Sequence, residues 1–147
     1  MKSMWNAAAR RELQQRFGVL TPDARPTWGR MSAPKMVTHV ADSLRMAIGE
    51  LPCAPKRSPL RYTPIKQLVI YVMPWPKGVP TAPELLARVP TTWTADVEEL
   101  NALIARVGSI GPDGAFADHP AFGRLTPRTW GALMRRHLAH QLTQFGV

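Results

Sequence analysis

With 147 residues, 45% of them apolar and 20% charged, the chain has the size of one domain, 1–147, able to bury about two-thirds of its extended surface, and it is too apolar to remain disordered. Charges inside the first dozen residues leave no apolar core for a secretory leader and no stretch of about 20 apolar residues for a membrane span, so a cytoplasmic address without membrane association is expected. Cys53 is the single cysteine, which excludes an intrachain disulfide and a thiolate zinc cluster; the net charge of +9 points only weakly to nucleic acid, because the cations run from Lys2 to Arg136 with no groove-reading motif.

The first predicted helix runs from Met4 to Phe17, with Trp5, Ala8, Ala9, Leu13 and Phe17 at helical spacing and Gly18 as a left-handed stop. Ser32 caps the second, with Pro34 in the first turn where a missing N–H does no harm. This helix ends near Ile48 and Gly49, and Met36, Val40, Ser43 and Ala47 form its inner face. His39 lies about 60° to one side of Met36, within reach of the core, whereas Asp42 falls on the far side. From Leu51 to Pro90 the chain holds nine of its fifteen prolines. Within that stretch the apolar run after Thr63 and Pro64 reads as a short helix, closed by Pro74 and Pro76. The densest basic set, Lys56, Arg57, Arg61, Lys66 and Lys77, lies in the same region and reads as a solvated surface.

A helical turn is expected at Pro83 to Arg88. Thr92 or Thr94 then opens a long helix carrying Val97, Leu100, Ile104 and Val107 on one side, ended by Gly108 and Gly111. A turn-rich loop, Ser109 to Leu125, contains His119, which is expected to order the loop through Asp118 or backbone groups. Thr126 and Pro127 start the last helix. On it Trp130, Met134, His137, Gln141 and Phe145 share one face, while Arg128, Arg135 and Arg136 point away. Four long amphipathic helices and one proline-bounded apolar insert describe an all-α antiparallel four-helix bundle, the insert lying between its second and third helices.

His39, His137 and Gln141 are polar groups on inner faces, and each must find a partner there. Helix bundles build metal sites from residues four apart on one helix and a third donor on a facing helix. They also bury histidines that are satisfied by hydrogen bonds alone. The pattern leaves both readings open. His140, about 60° from His137 around the helix, suits a supporting or surface role.

SAPKMVTHVADSLRMAIG (Ser32 to Gly49), LVIYVMPWPKG (Leu68 to Gly78) and HPAFGRLTPRTWGALMRRHLAHQLTQFGV (His119 to Val147) resemble an uncharacterised branch of the DinB/YfiT-like superfamily, over nearly the whole chain. The resemblance implies a four-helix bundle, often a homodimer, in which three histidines hold a divalent metal such as zinc or nickel. Branches of that superfamily are thiol-dependent transferases working with bacillithiol, mycothiol or glutathione, or metal-dependent hydrolases. Carried onto this chain, two ligands fall on His39 and His137, and the third falls on Gln141, where the branch usually has histidine. An amide oxygen binds zinc or nickel less well than imidazole, so the implied site is weakened, with His140 as a substitute donor. The resulting expectation is a metal-dependent transferase or hydrolase for a small-molecule or thiol substrate. The alternative class is a non-catalytic helical binding protein with a hydrogen-bonded polar core and a basic surface for an anionic partner.

Overall fold

A computed structural model describes residues 2–147. Among the described residues the chain is all-helical, with five helices and no strand: α1 (Ala7–Val19), α2 (Ala33–Ala47), α3 (Ile65–Gln67, continuing as a π-helical turn over Leu68–Val72), α4 (Trp93–Ile110) and α5 (Pro127–Gln144). Short 3₁₀ turns stand at Pro59–Arg61 and Pro83–Leu85. Among the described residues no helix is long and apolar enough to cross a membrane.

Each long helix begins on a side-chain cap. Asn6, Ser32, Thr92 and Thr126 accept from the backbone N–H three residues on, satisfying donors that a helix start leaves without partners. The expected caps at Ser32 and Thr126 are in place, and Thr92 rather than Thr94 opens α4. The first helix departs from expectation. It starts at Ala7, three residues late, and passes through Gly18 to Val19. Met4 and Trp5 instead form a lead-in docked on α5: Met4 N–H donates to Gly131 O at 3.0 Å and Trp5 Nε1–H to Pro127 O at 3.1 Å. Gly131 permits this approach, since a Cβ there would stand 2.4 Å from the Trp5 indole nitrogen. Tertiary contact thus takes residues that helical periodicity had assigned to the helix.

Helix α2 packs on both α4 and α5, and α1 packs on the same two. Twelve of the fifteen α2 residues are buried, so no side of the helix is a water face, and Asp42, on the side away from Met36 and Ser43, is covered as well. That carboxylate is 4% exposed and takes hydrogen bonds from Arg45 at 2.8 Å and from Arg88 Nε at 3.1 Å. Glu99 on α4 joins the same two arginines, and the paired charges make burial affordable. The apolar run is helical, as expected, but only Ile70 is buried; Ile65, Leu68 and Val72 are exposed. Arg136, expected to point away, reaches the insert. Its guanidinium donates to Val69 O and Ile70 O at 2.8 Å each and to Met73 O, holding carbonyls that a helix end leaves bare.

Candidate functional site

The buried polar groups of α2 and α5 meet at one point. His39 is 2% exposed, and its Nδ1–H donates to Leu85 O at 3.2 Å, because a carbonyl can only accept. That bond fixes the tautomer and leaves a lone pair on Nε2. His137 Nε2 faces it at 3.1 Å, with the two rings nearly perpendicular. Ser43, one turn beyond His39, stands 3.3 Å from His137 Nδ1 and 2.7 Å from Val40 O. A hydroxyl has a single proton, and the shorter contact places it on the carbonyl. Ser43 Oγ therefore accepts from His137 Nδ1–H, and His137 Nε2 also carries a lone pair.

Two acceptors aimed at each other require a proton or another cation between them. Burial pushes the pKa of His39 down, against the smaller opposing effects of its Leu85 bond and of Asp42. It pushes His137 well below the usual range, with His39, His119 and His140 adding to the effect. Both rings are thus held neutral near pH 7. The third group is Gln141, whose Nε2 lies 3.4 Å from His137 Nε2 and whose Oε1 is buried without a partner. Turning the amide over carries its oxygen to the same point. A tetrahedral ion with bonds of about 2.0–2.1 Å spaces two imidazole nitrogens about 3.3–3.4 Å apart, close to the separation found here. Both Nδ1–H groups are anchored on oxygens, as in metal sites where outer hydrogen bonds orient the ligands. The donor set of two neutral imidazoles and an orphaned amide oxygen therefore fits a divalent cation. Among the described residues no cluster of three His, Cys, Asp or Glu side chains stands where it could hold a metal; here the third donor is an amide.

Aromatic rings cover one side of the pair. Trp75 lies 6.3 Å from His137 and 5.6 Å from His140, and Trp28 lies 5.9 Å from His140. Lys77 stands over the Trp28 ring and Arg136 over Trp75. His140 thus sits between two indoles beside the cluster, with its pKa lowered by burial and then by Arg136. His119 is elsewhere: its Nδ1 accepts from Ala121 N–H at 3.0 Å and Phe122 N–H at 3.1 Å. It orders its loop through the backbone alone, Asp118 taking no part. Cys53 is partly covered, and burial raises the pKa of its thiol, opposite to what a nucleophile needs.

A family model described as a protein of unknown function (DUF1569) matches residues 18–146. The chain belongs to the DUF1569 family. That match takes in α2 to α5, and so every member of the histidine cluster of this DUF1569 chain. Searches of the curated proteins and of the solved structures found no match.

Sequence reasoning had named His39, His137 and Gln141, and the fold brings these three together. It had seen Ser43 as an inner-face residue without giving it a task, and it missed the Leu85 carbonyl and both indoles. Ser43 was legible in principle, since it lies one turn from His39. The other three come from a short 3₁₀ turn and two loops, whose approach to the cluster no periodicity encodes.

Proposed function

We propose that the chain is a DinB-like antiparallel four-helix bundle of α1, α2, α4 and α5, and that His39, His137 and Gln141 hold a divalent metal ion, zinc or nickel. The observation that supports this reading is the pair of Nε2 lone pairs facing each other at 3.1 Å with both Nδ1 protons already committed. Such an ion, when bound, lowers the pKa of a water or thiol at its open position. That chemistry suits a transferase or hydrolase acting on a small molecule. The chain's own groups do the positioning: Leu85 O and Ser43 set the two rings, and Trp75 and Trp28 exclude water from one side. Gln141 supplies a neutral oxygen, weaker than imidazole toward these metals.

Metal analysis of protein purified without a histidine tag, before and after reconstitution with zinc or nickel, tests the reading. Close to one equivalent is expected; a trace after reconstitution overturns it. Gln141→His should then raise metal affinity and thermal stability together, since a ligand bound only by the folded state stabilises that state. The competing hydrogen-bonded core predicts a different proton. There Ser43 donates to His137 Nδ1 and His137 Nε2–H donates to His39, so nitrogen NMR of the metal-free rings that finds His137 protonated on Nε2, together with no metal uptake, establishes the non-catalytic reading.

A further inference from the structure

The basic stretch of the proline-rich insert borders an open surface pocket of about 570 Å³, lined by Pro55, Lys56, Arg57, Ser58, Arg61 and Tyr62. This volume lies in the range of small-molecule sites. The loop is fixed on the rest of the molecule through one carbonyl: Pro120 O accepts from Lys56 N–H at 2.8 Å and from Arg61 Nη1 at 3.3 Å. Arg61 also lies along Gly123, where a Cβ would come within 3.1 Å of Nη2, and Lys66 ties the adjoining turn to Arg124 O at 3.0 Å. Pro55 and Pro59 stiffen the loop further, which lowers the ordering cost of any ligand.

Elsewhere some cations are neutralised and others are not. Lys2, Arg45, Arg88, Arg106 and Arg135 pair with carboxylates. Among the described residues no carboxylate pairs with Lys56, Arg57 or Arg61, and none lines the pocket. Glu84, the acid Lys56 acts on, is turned to Ala54 N–H. Arg61 commits only Nη1, leaving Nε and Nη2 as the parallel donor edge that matches a phosphate. The Ser58 hydroxyl accepts from Leu60 N–H and keeps its own proton to donate. Tyr62, 68% exposed, presents a ring face at the rim.

We propose that this pocket binds a small phosphorylated ligand, its phosphate held by Lys56, Arg57, Arg61 and Ser58 and its remaining part lying on Tyr62. The site is separate from the histidine cluster and stands whether or not that cluster binds metal. A nucleic-acid groove fits less well, because the cations line one short loop with one ring rather than a track of interleaved aromatics.

Amide NMR titrations with inorganic phosphate and pyrophosphate, at ionic strength held constant with sodium chloride, test the proposal. Saturable shifts centred on residues 55–62 are expected, stronger for pyrophosphate. Lys56→Gln and Arg57→Gln, both at exposed positions, should each weaken binding about tenfold, a loss of about 1.4 kcal/mol, with an unchanged melting temperature. Arg128→Gln, which removes the same charge from an exposed site on α5, should leave affinity as it was. Shifts that do not saturate, or equal weakening by all three variants, reduce the effect to net charge and overturn the proposal. So does tight, steeply salt-dependent binding of a single-stranded oligonucleotide without saturable phosphate binding, which reassigns the surface to nucleic acid.

Discussion

Replacing Gln141 by leucine separates a metal donor from a structural amide, because the two roles predict different signs. As the side chain lies, its Nε2 is 3.4 Å from His137 Nε2 and its Oε1 is buried with no partner. A contact that long exceeds the usual range for such bonds and contributes at most about 0.5–1.5 kcal/mol, whereas an orphaned buried acceptor costs about 1–3 kcal/mol. Leucine fills a similar volume and adds apolar burial. Metal-free Gln141→Leu should therefore match the parent protein or exceed it by up to about 2 kcal/mol. At about 2–4 °C per kcal/mol for a chain of this length, that is a rise of up to about 8 °C, readable by calorimetry in the presence of chelator. With zinc the parent gains more than the variant. At a free concentration a hundredfold above Kd the parent gains about 2.7 kcal/mol, and a tenfold weaker variant gains about 1.4. A metal-free variant destabilised by more than about 1.5 kcal/mol, more than the long amide contact accounts for, or an undiminished response to zinc, refutes the reasoning.

Gly131→Ala should destabilise by about 1–3 kcal/mol in a urea titration, although the same swap at an open helix position gains about 1; the new methyl meets the Trp5 indole and Ser3 Oγ at 2.4–2.5 Å, and a higher melting temperature would show that the lead-in yields freely. His119 has its pKa pushed down to about 4 by burial, so the unfolded chain binds a proton that the folded chain refuses. Its contribution is complete above pH 6.5 and is lost as pH falls toward 4, by about 3 kcal/mol. His119→Asn keeps an acceptor for Ala121 and Phe122 without the titration, and should flatten the fall in stability between pH 7 and 4.5; His39 and His137 leave a residual slope of the same sign. Arg136→Ala strips the donors from three carbonyls at the end of the insert. It should expose residues 63–80 to limited proteolysis while α5 stays folded, and an unchanged digestion pattern would assign the insert's order to Ile70 alone.

The helices were legible where local chemistry decides them. Ser32 and Thr126 cap α2 and α5 because a hydroxyl three residues before a free N–H is sufficient in itself, and a following proline removes any competing conformation. Two readings missed for want of tertiary context: Gly18 was taken as a helix stop from its residue type, and Arg136 was placed from the periodicity of a single helix. Here α2 lies between two helices and has no water face, α5 meets an insert as well as α1 and α2, and the Met4 and Trp5 lead-in displaces the start of α1. Periodicity reports how many sides of a helix are apolar. It does not report that a carboxylate will find two arginines, one of them 46 residues away.

The same limit explains why the histidine cluster was read in outline but not in chemistry. Spacing alone places His137 and Gln141 one turn apart and brings His39 to the facing helix. What turns that juxtaposition into a question of cation binding is the direction of two protons. Leu85 O takes the one on His39, and Val40 O takes the proton of Ser43 that would otherwise have reached His137. Were Val40 O out of reach, Ser43 could donate to Nδ1, His137 could donate to His39, and the cluster would close as a satisfied hydrogen-bonded chain with nothing left to bind. The difference between a polar core and a metal site in this fold thus rests on one hydroxyl, 2.7 Å from a carbonyl and 3.3 Å from a ring nitrogen.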